Sequence, residues 1–318
     1  MKFILLGFTQ DALENLALIY NDLVRIKAIT GKLFCFGIGY TGEALACALI
    51  ADGWQVAGTC RTQETAALLQ AQGIDAVVFD RDQPLDNLAA LLEGVTHVLA
   101  SIPPDASGDP VLDCHARDLQ SLGKDLDWVG YLSTTVVYGN RDGGWVDETS
   151  PRTPAVERGQ RRVDAEDGWL ALGKAANISV HLFRLAGIYG PGRSALDQVR
   201  AGRAKRVHRP GQVFSRIHVE DIVSILRASM AKPNAGAAYN VCDDNPAAPS
   251  EVTAFACELL NVPVPPIIPY EQADLSPMAQ TFWSDNKRVR NDRLHEELGV
   301  TLKYPDYQSG LRTIFEAE

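Results

Sequence analysis

One glycine pattern constrains this chain more than anything else in it: Gly37-Ile38-Gly39-Tyr40-Thr41-Gly42, set between an apolar run and an alanine- and leucine-rich stretch. Leu33-Phe34-Cys35-Phe36 reads as a short buried strand ending at Gly37, and Glu43 to Ala51 reads as a helix. GxGxxG alone is weak, but between a strand and a helix it has a mechanism. The first glycine permits a tight turn, the second lets a pyrophosphate approach the backbone, and the third allows helix and strand to pack closely. The helix N-terminus then presents unbonded N–H groups and the positive end of its dipole. Gly37, Gly39, Tyr40, Thr41 and Gly42 are therefore expected to line a dinucleotide site. The competing reading is a glycine-rich turn that binds nothing.

From Lys32 onward strands and helices alternate. Trp54 to Thr59, Ala76 to Phe79, Val95 to Ser101, Trp128 to Ser133 and Ser179 to Leu185 read as strands. Helices are expected over Thr62 to Gln72, Leu85 to Leu92, Val111 to Leu122 and Val156 to Leu172. This order implies an α/β fold, a Rossmann-type doubly wound parallel sheet with helices on both faces. Beyond Gly187 the pattern loosens, and Pro263-Val264-Pro265-Pro266 breaks the chain. A smaller, discontinuous C-terminal substrate lobe is expected there. Residues 31–187 form the dinucleotide-binding domain in this reading, and 188–318 are mostly lobe, with 214–244 returning to the first domain. Residues 1–30 look like an extension. Leu13, Leu16, Tyr20, Leu23 and Val24 have helical spacing, so the segment is either an amphipathic helix or the product of an upstream start site.

Composition excludes several classes. The formal net charge of -10 over 318 residues argues against a nucleic-acid partner, which needs a concentrated basic face. The six cysteines include no CxxC pair, so reduced thiols in a cytoplasmic protein are expected and a metal is not. No apolar run is long enough to span a bilayer, and Phe3-Ile4-Leu5-Leu6 is too short for a signal peptide.

The end of the second strand selects the cofactor. A carboxylate there bonds the ribose 2′-hydroxyl, whereas an arginine accommodates a 2′-phosphate. The chain reads Gly58-Thr59-Cys60-Arg61-Thr62, with no acid and with Arg61 well placed. NADP(H) is favoured; NAD(H) stays open if Arg61 only stacks on the adenine. Thr62, Asp80 after the third strand and Ser101 after the fourth complete the expected cofactor set, although Asp80 could equally be a turn residue.

Several further segments, taken in order, carry a resemblance. They are Leu132-Ser133-Thr134-Thr135-Val136-Val137-Tyr138-Gly139, Val146-Asp147-Glu148, Phe183 to Arg193, Arg216-Ile217-His218-Val219-Glu220-Asp221-Ile222 and Tyr239-Asn240-Val241. Together with the glycine motif, from residue 32 to about 310, the chain resembles the extended short-chain dehydrogenase/reductases, the NAD-dependent epimerase/dehydratase group. The resemblance implies a strand order of 3-2-1-4-5-6-7 and a C-terminal lobe that meets a small-molecule substrate; a homodimer is one assembly that the sequence leaves open. It also implies a triad: a Ser or Thr four residues before the Tyr of VYG, then YxxxK about twenty residues on. Thr134 precedes Tyr138 by four. The YxxxK pair is absent: Arg158 stands at the tyrosine position and Arg162 at the lysine position, with Glu166 following.

Arginine stays protonated and has no acceptor, so Arg158 cannot take a proton in step with hydride transfer. Arg162 could keep the lysine's electrostatic and ribose-binding role. Thr134, Tyr138 and Arg162 are the candidate catalytic set. Tyr189 and His218 are weighed as replacement acid/base groups against plain packing roles, and Asp147-Glu148 as shaping a loop. Asn286 to Asn291 holds three cations, read either as a contact for an anionic substrate or, more commonly for such a run, as a solvated helix face. The expectation is an NADP(H)-dependent oxidoreductase or epimerase-like enzyme on a small polar or nucleotide-linked substrate. The alternative is a non-catalytic NADP(H)-binding sensor.

Overall fold

The computed structural model describes residues 31–317; the proposed helix or artefact at 1–30 lies outside the described residues. Seven parallel strands form the central sheet: β1 (Lys32–Phe36), β2 (Gln55–Cys60), β3 (Asp75–Val78), β4 (His97–Ala100), β5 (Trp128–Thr134), β7 (Val180–Leu185) and β11 (Ala238–Val241). A two-residue strand, β6 (Trp145–Val146), lies outside this sheet. Reading across the sheet, the order is β3-β2-β1-β4-β5-β7-β11, which is 3-2-1-4-5-6-7 when the seven are counted along the chain. The expected order and fold class are both met.

The strands are apolar on both sides because helices cover both faces. Leu33 and Cys35 point into one core with Val56, Leu99, Leu132 and Phe183. Phe34 and Phe36 point into the other with Val98, Val129, Tyr131 and Leu182. α1 (Tyr40–Ala51) packs on the first face beside the helix Val219–Ala231. The helices Pro110–Leu122 and α5 (Glu157–Ala176) cover the second.

The structure shortens one expected helix. Only Leu88–Leu91 of the Leu85–Leu92 stretch is helical, because the Asn87 side chain caps it by accepting from the Ala90 N–H at 3.4 Å. A further core joins Tyr189, Leu196, Val252, Ala256, Leu311 and Ile314 in the C-terminal part of the chain. Val219–Ala231 and β11 return to the nucleotide-side core, and Leu294, Leu298, Val300 and Leu302 join them there.

Candidate functional site

The parallel register brings the carboxyl ends of the strands to one edge. Phe36 pairs with Ala100 and Cys60 with Val78, so Gly37 lies beside Ser101, and Arg61 beside the turn that holds Asp80. Gly37 adopts φ +88°, a left-handed conformation that suits glycine, and an added Cβ would meet Ile102 at 2.7 Å. Its N–H donates to Thr59 Oγ1 at 2.9 Å, tying the turn to β2. A Cβ on Gly42 would sit 3.1 Å from Cys35 Sγ. Gly39 differs: a Cβ there meets nothing within 4 Å. Gly39 also caps α1 without any side-chain acceptor, so the first-turn amides face this open space uncapped. These features fit a pyrophosphate laid on the helix terminus.

The remaining cofactor candidates are spread along the same edge. Arg61 is exposed, and no carboxylate among the described residues pairs with it. Thr62 caps the next helix by accepting from the Thr65 N–H at 3.2 Å. Asp80 is a turn residue, its Oδ1 accepting from the N–H groups of Asp82 (2.8 Å) and Gln83 (3.0 Å). The Ser101 N–H donates to the Phe36 carbonyl at 2.9 Å, which holds its loop over the glycine turn. Tyr40 reaches across to the other lobe: its hydroxyl donates to the Pro191 carbonyl at 3.0 Å, and Arg193 lies over its ring.

Beside this edge is a pocket of about 450 Å³ at the carboxyl ends of β5 and β7. Four separate segments build its wall: Thr134 to Val136, Leu185 to Tyr189, Val213 to Arg216, and part of the stretch between Ala279 and Val289. Thr134 Oγ1 accepts from the Val136 N–H at 3.4 Å, which leaves its own proton available to the pocket. Arg162 extends from α5 to β5, where its Nη1 donates to the Leu132 carbonyl (2.7 Å) and to the Tyr131 hydroxyl (3.0 Å).

Tyr138 leaves the candidate set. Its ring is fully buried, its hydroxyl donates to Asn240 Oδ1 at 2.6 Å and accepts from Arg184 at 2.9 Å, and burial pushes its pKa up to about 12. It belongs to a buried network that centres on Glu166. That carboxylate receives Arg184 at 2.8 Å, Arg152 at 3.1 Å and the Ser133 hydroxyl at 2.5 Å, locking α5 to β5 and β7. His218 is also structural: it caps the Val219–Ala231 helix through the Glu220 N–H, packs between Tyr189 and Tyr304, and burial lowers its pKa to about 4. Tyr189 borders the pocket, but its hydroxyl donates to the Asp306 carbonyl at 3.3 Å. Asp147 and Glu148 do shape a loop, Asp147 by holding Thr149 and Ser150 and Glu148 by accepting the Asn240 N–H at 2.7 Å.

Sequence reasoning missed the far wall of the pocket. Asn286 to Asn291 is not a solvated helix face; it contains the two-residue strand Arg288–Val289, paired with Trp145–Val146. Trp283, Asp285, Lys287, Val289 and Asn291 are all buried at a spacing of two. That period was available as a signal for extended chain, but the charges of Asp285 and Lys287 disguised it. The two form a buried ion pair at 3.0 Å, and burial lowers the Lys287 pKa against the pull of Asp285. Asp285 Oδ1 and Ser215 Oγ are buried without a hydrogen-bond partner. Arg158 lies half-buried beside this wall, its guanidinium 4.6 Å from the centre of the Phe282 ring and 3.2 Å from Met278 Sδ.

Among the described residues no cluster of side chains could hold a metal ion, and no helix is long and apolar enough to cross a membrane. No family model matches the chain. It is 29% identical over 286 residues to the Escherichia coli protein YeeZ, covering 86% of this chain and 97% of that protein. A functionally unknown conserved protein from Silicibacter pomeroyi is 49% identical, with a TM-score of 0.83 over 91% of this chain and 99% of that one. A Methylobacillus flagellatus protein assigned as an NAD-dependent epimerase/dehydratase is 25% identical, with a TM-score of 0.63 over 91% and 98%. The dTDP-glucose 4,6-dehydratase of Bacillus anthracis, solved with NAD, shares the fold at 17% identity and a TM-score of 0.71 over 90% and 96%. With its strand order and glycine turn in place, the chain shares the Rossmann-type fold of these NAD-dependent epimerase and dehydratase structures.

Proposed function

We propose that this chain binds a nicotinamide dinucleotide, preferentially NADP(H), and acts as an oxidoreductase or epimerase-like enzyme on a small polar or nucleotide-linked molecule in the adjoining pocket. One observation carries this reading: of the three motif glycines, only Gly39 faces open space, at an uncapped helix N-terminus. The likeness to a structure solved with NAD supports the same cofactor class. The pocket at the strand ends speaks for an enzyme rather than a sensor, since a sensor needs no second cavity there.

The bound dinucleotide would supply the hydride-exchanging ring. Gly39 and the first-turn amides of α1 would receive its pyrophosphate, and Arg61 its 2′-phosphate, flanked by Thr62 and Asp80. Ser101 would lie beneath it. Thr134 would donate its hydroxyl proton to a substrate oxygen. Arg162, permanently charged, would hold the electrostatic place of the family's lysine. Arg158 cannot accept a proton and Tyr138 cannot reach one. Proton exchange would then fall to groups on the pocket wall, where Asp285 and Lys287 are the titratable pair.

Titration of NADPH and NADH into the parent and into Gly39→Val tests the cofactor reading. The substitution should cost binding at least about a hundredfold, because a branched side chain would occupy the phosphate's place. Thermal stability should hardly change, since the space at Gly39 is open and its φ of -112° suits any residue. Undiminished NADPH binding by the folded variant would refute the assignment.

A further inference from the structure

The pocket's wall and its charges point to a substrate class different from a nucleotide sugar. Most of the wall is apolar, with Phe214, Phe282 and Trp283 offering aromatic surface and Val213, Ile188 and Val289 completing it. Trp283 is fixed from both sides, edge-on to Phe214 at 5.5 Å and stacked on Tyr270 at 5.2 Å, so this surface is rigid before any ligand arrives. Aromatic walls of this kind favour a flat or branched apolar body.

The charges narrow the class further. Asp285 and Lys287 balance each other at 3.0 Å. Arg158, set beside the wall by its stacking on Phe282, has no ion pair of its own: its half-buried guanidinium contacts a thioether and a phenyl ring, and the carboxylate that acts on it, Asp285, is already paired with Lys287. A desolvated guanidinium without a carboxylate is costly unless an anion joins it. Two more polar atoms await partners. Asp285 Oδ1 and Ser215 Oγ, on residues more than nine-tenths buried, line the same cavity and make no hydrogen bond. A buried polar atom without a partner in a ligand cavity marks a place for a ligand's polar group. Asp285 Oδ1 accepts only, so it calls for a donor.

Building on the reading of this pocket as the substrate site, we infer that it takes a small molecule with an aromatic or branched apolar body, one anionic group and one hydroxyl. The anionic group meets Arg158. The apolar body lies on Phe282, Trp283 and Phe214, and the hydroxyl faces Asp285 Oδ1 and Ser215 Oγ.

Calorimetric titration of the full chain, free and saturated with NADPH, tests this with defined probes. 3-Phenyllactate carries all three features. Lactate lacks the body, 1-phenyl-2-propanol lacks the anion, and phenyl phosphate carries a phosphate in place of the carboxylate and lacks the hydroxyl. UDP-glucose represents the nucleotide sugars. We expect 3-phenyllactate to bind at least about tenfold more tightly than lactate, 1-phenyl-2-propanol or UDP-glucose, and phenyl phosphate to rank second if Arg158 accepts either anion. Arg158→Gln should remove about tenfold or more of the affinity for both anions and none for the neutral alcohol. Phe282→Ala, at a partly exposed position, should weaken the aromatic probes and leave lactate unchanged. Tighter binding of UDP-glucose, equal binding of lactate or the alcohol, or no binding of any probe would overturn the inference. So would affinity for the acids that survives Arg158→Gln. NADPH affinity is read from the same protein, so failure of the cofactor reading appears separately from failure of the substrate class.

Discussion

The glycine turn and the pocket at the ends of β5 and β7 lie on the same sheet edge and are built in opposite ways. The turn comes from six consecutive residues, and what it offers a ligand is backbone: uncapped amides and the absence of a side chain at Gly39. The pocket comes from four segments spread between Thr134 and Val289, and what it offers is side chains. Backbone recognition needs a local conformation that a short motif can specify. Side-chain recognition needs distant segments brought into register, and no single stretch of chain announces it.

The pocket side rests on the buried network around Glu166, which locks α5 to β5 and β7, and removing its centre gives the largest effect. Glu166→Gln would leave Arg184 and Arg152 facing a neutral group in the interior. Loss of about 3–5 kcal/mol of stability is expected in urea unfolding, as for other buried pairs broken on one side. Folded Glu166→Gln protein should keep its NADPH affinity, since the glycine turn draws nothing from this network. A selective loss of cofactor binding with unchanged stability would show that the two regions are not built independently.

A second effect depends on pH and belongs to the pocket side. Asp243 is buried, and burial pushes its pKa up to about 8 against the pull of Arg216 and of the Asn245 and Arg216 backbone amides. The folded chain therefore holds this proton more tightly than the unfolded chain. Stability carried by the neutral carboxyl is present at low pH and is lost as pH rises from about 4 through 8. Asp243→Asn cannot ionise and should escape this loss. The variant's advantage should grow from near zero at acid pH to a few kcal/mol at pH 9, by order of magnitude. Equal pH slopes for parent and variant would contradict a buried neutral carboxyl.

The smallest effect sharpens the cofactor side. Arg61 can give a 2′-phosphate a charge-assisted hydrogen bond, so NADPH should bind about tenfold more tightly than NADH, and Arg61→Ala should level the two. Equal affinity in the parent would leave Arg61 as an adenine contact only.

Some expectations held because they rested on local rules. The order of strands and helices, the turn at Gly37 and the place of Arg61 after β2 follow from periodicity and motif spacing. Others went astray where a side chain's role depends on what is packed beside it. Tyr138 has the spacing of a catalytic residue from Thr134, yet the turn Thr135–Tyr138 sends its hydroxyl inward to Asn240 and Arg184. Lys287 was weighed as part of a solvated face and is instead buried with Asp285, because strand pairing with Trp145–Val146 turns every second residue inward.

By itself, then, the sequence determined the succession of strands and helices, the glycine turn and the missing YxxxK, all properties of neighbouring residues and their backbone preferences, while the sheet's order was what the family resemblance implied. Only the tertiary structure decided that Arg158 lies over Phe282, that Asp285 Oδ1 and Ser215 Oγ are left without partners, and that Tyr138 is sealed away. The physical reason is that burial and charge pairing are set by contacts such as Arg158 with Met278, 120 positions apart, and no local propensity encodes a contact at that separation.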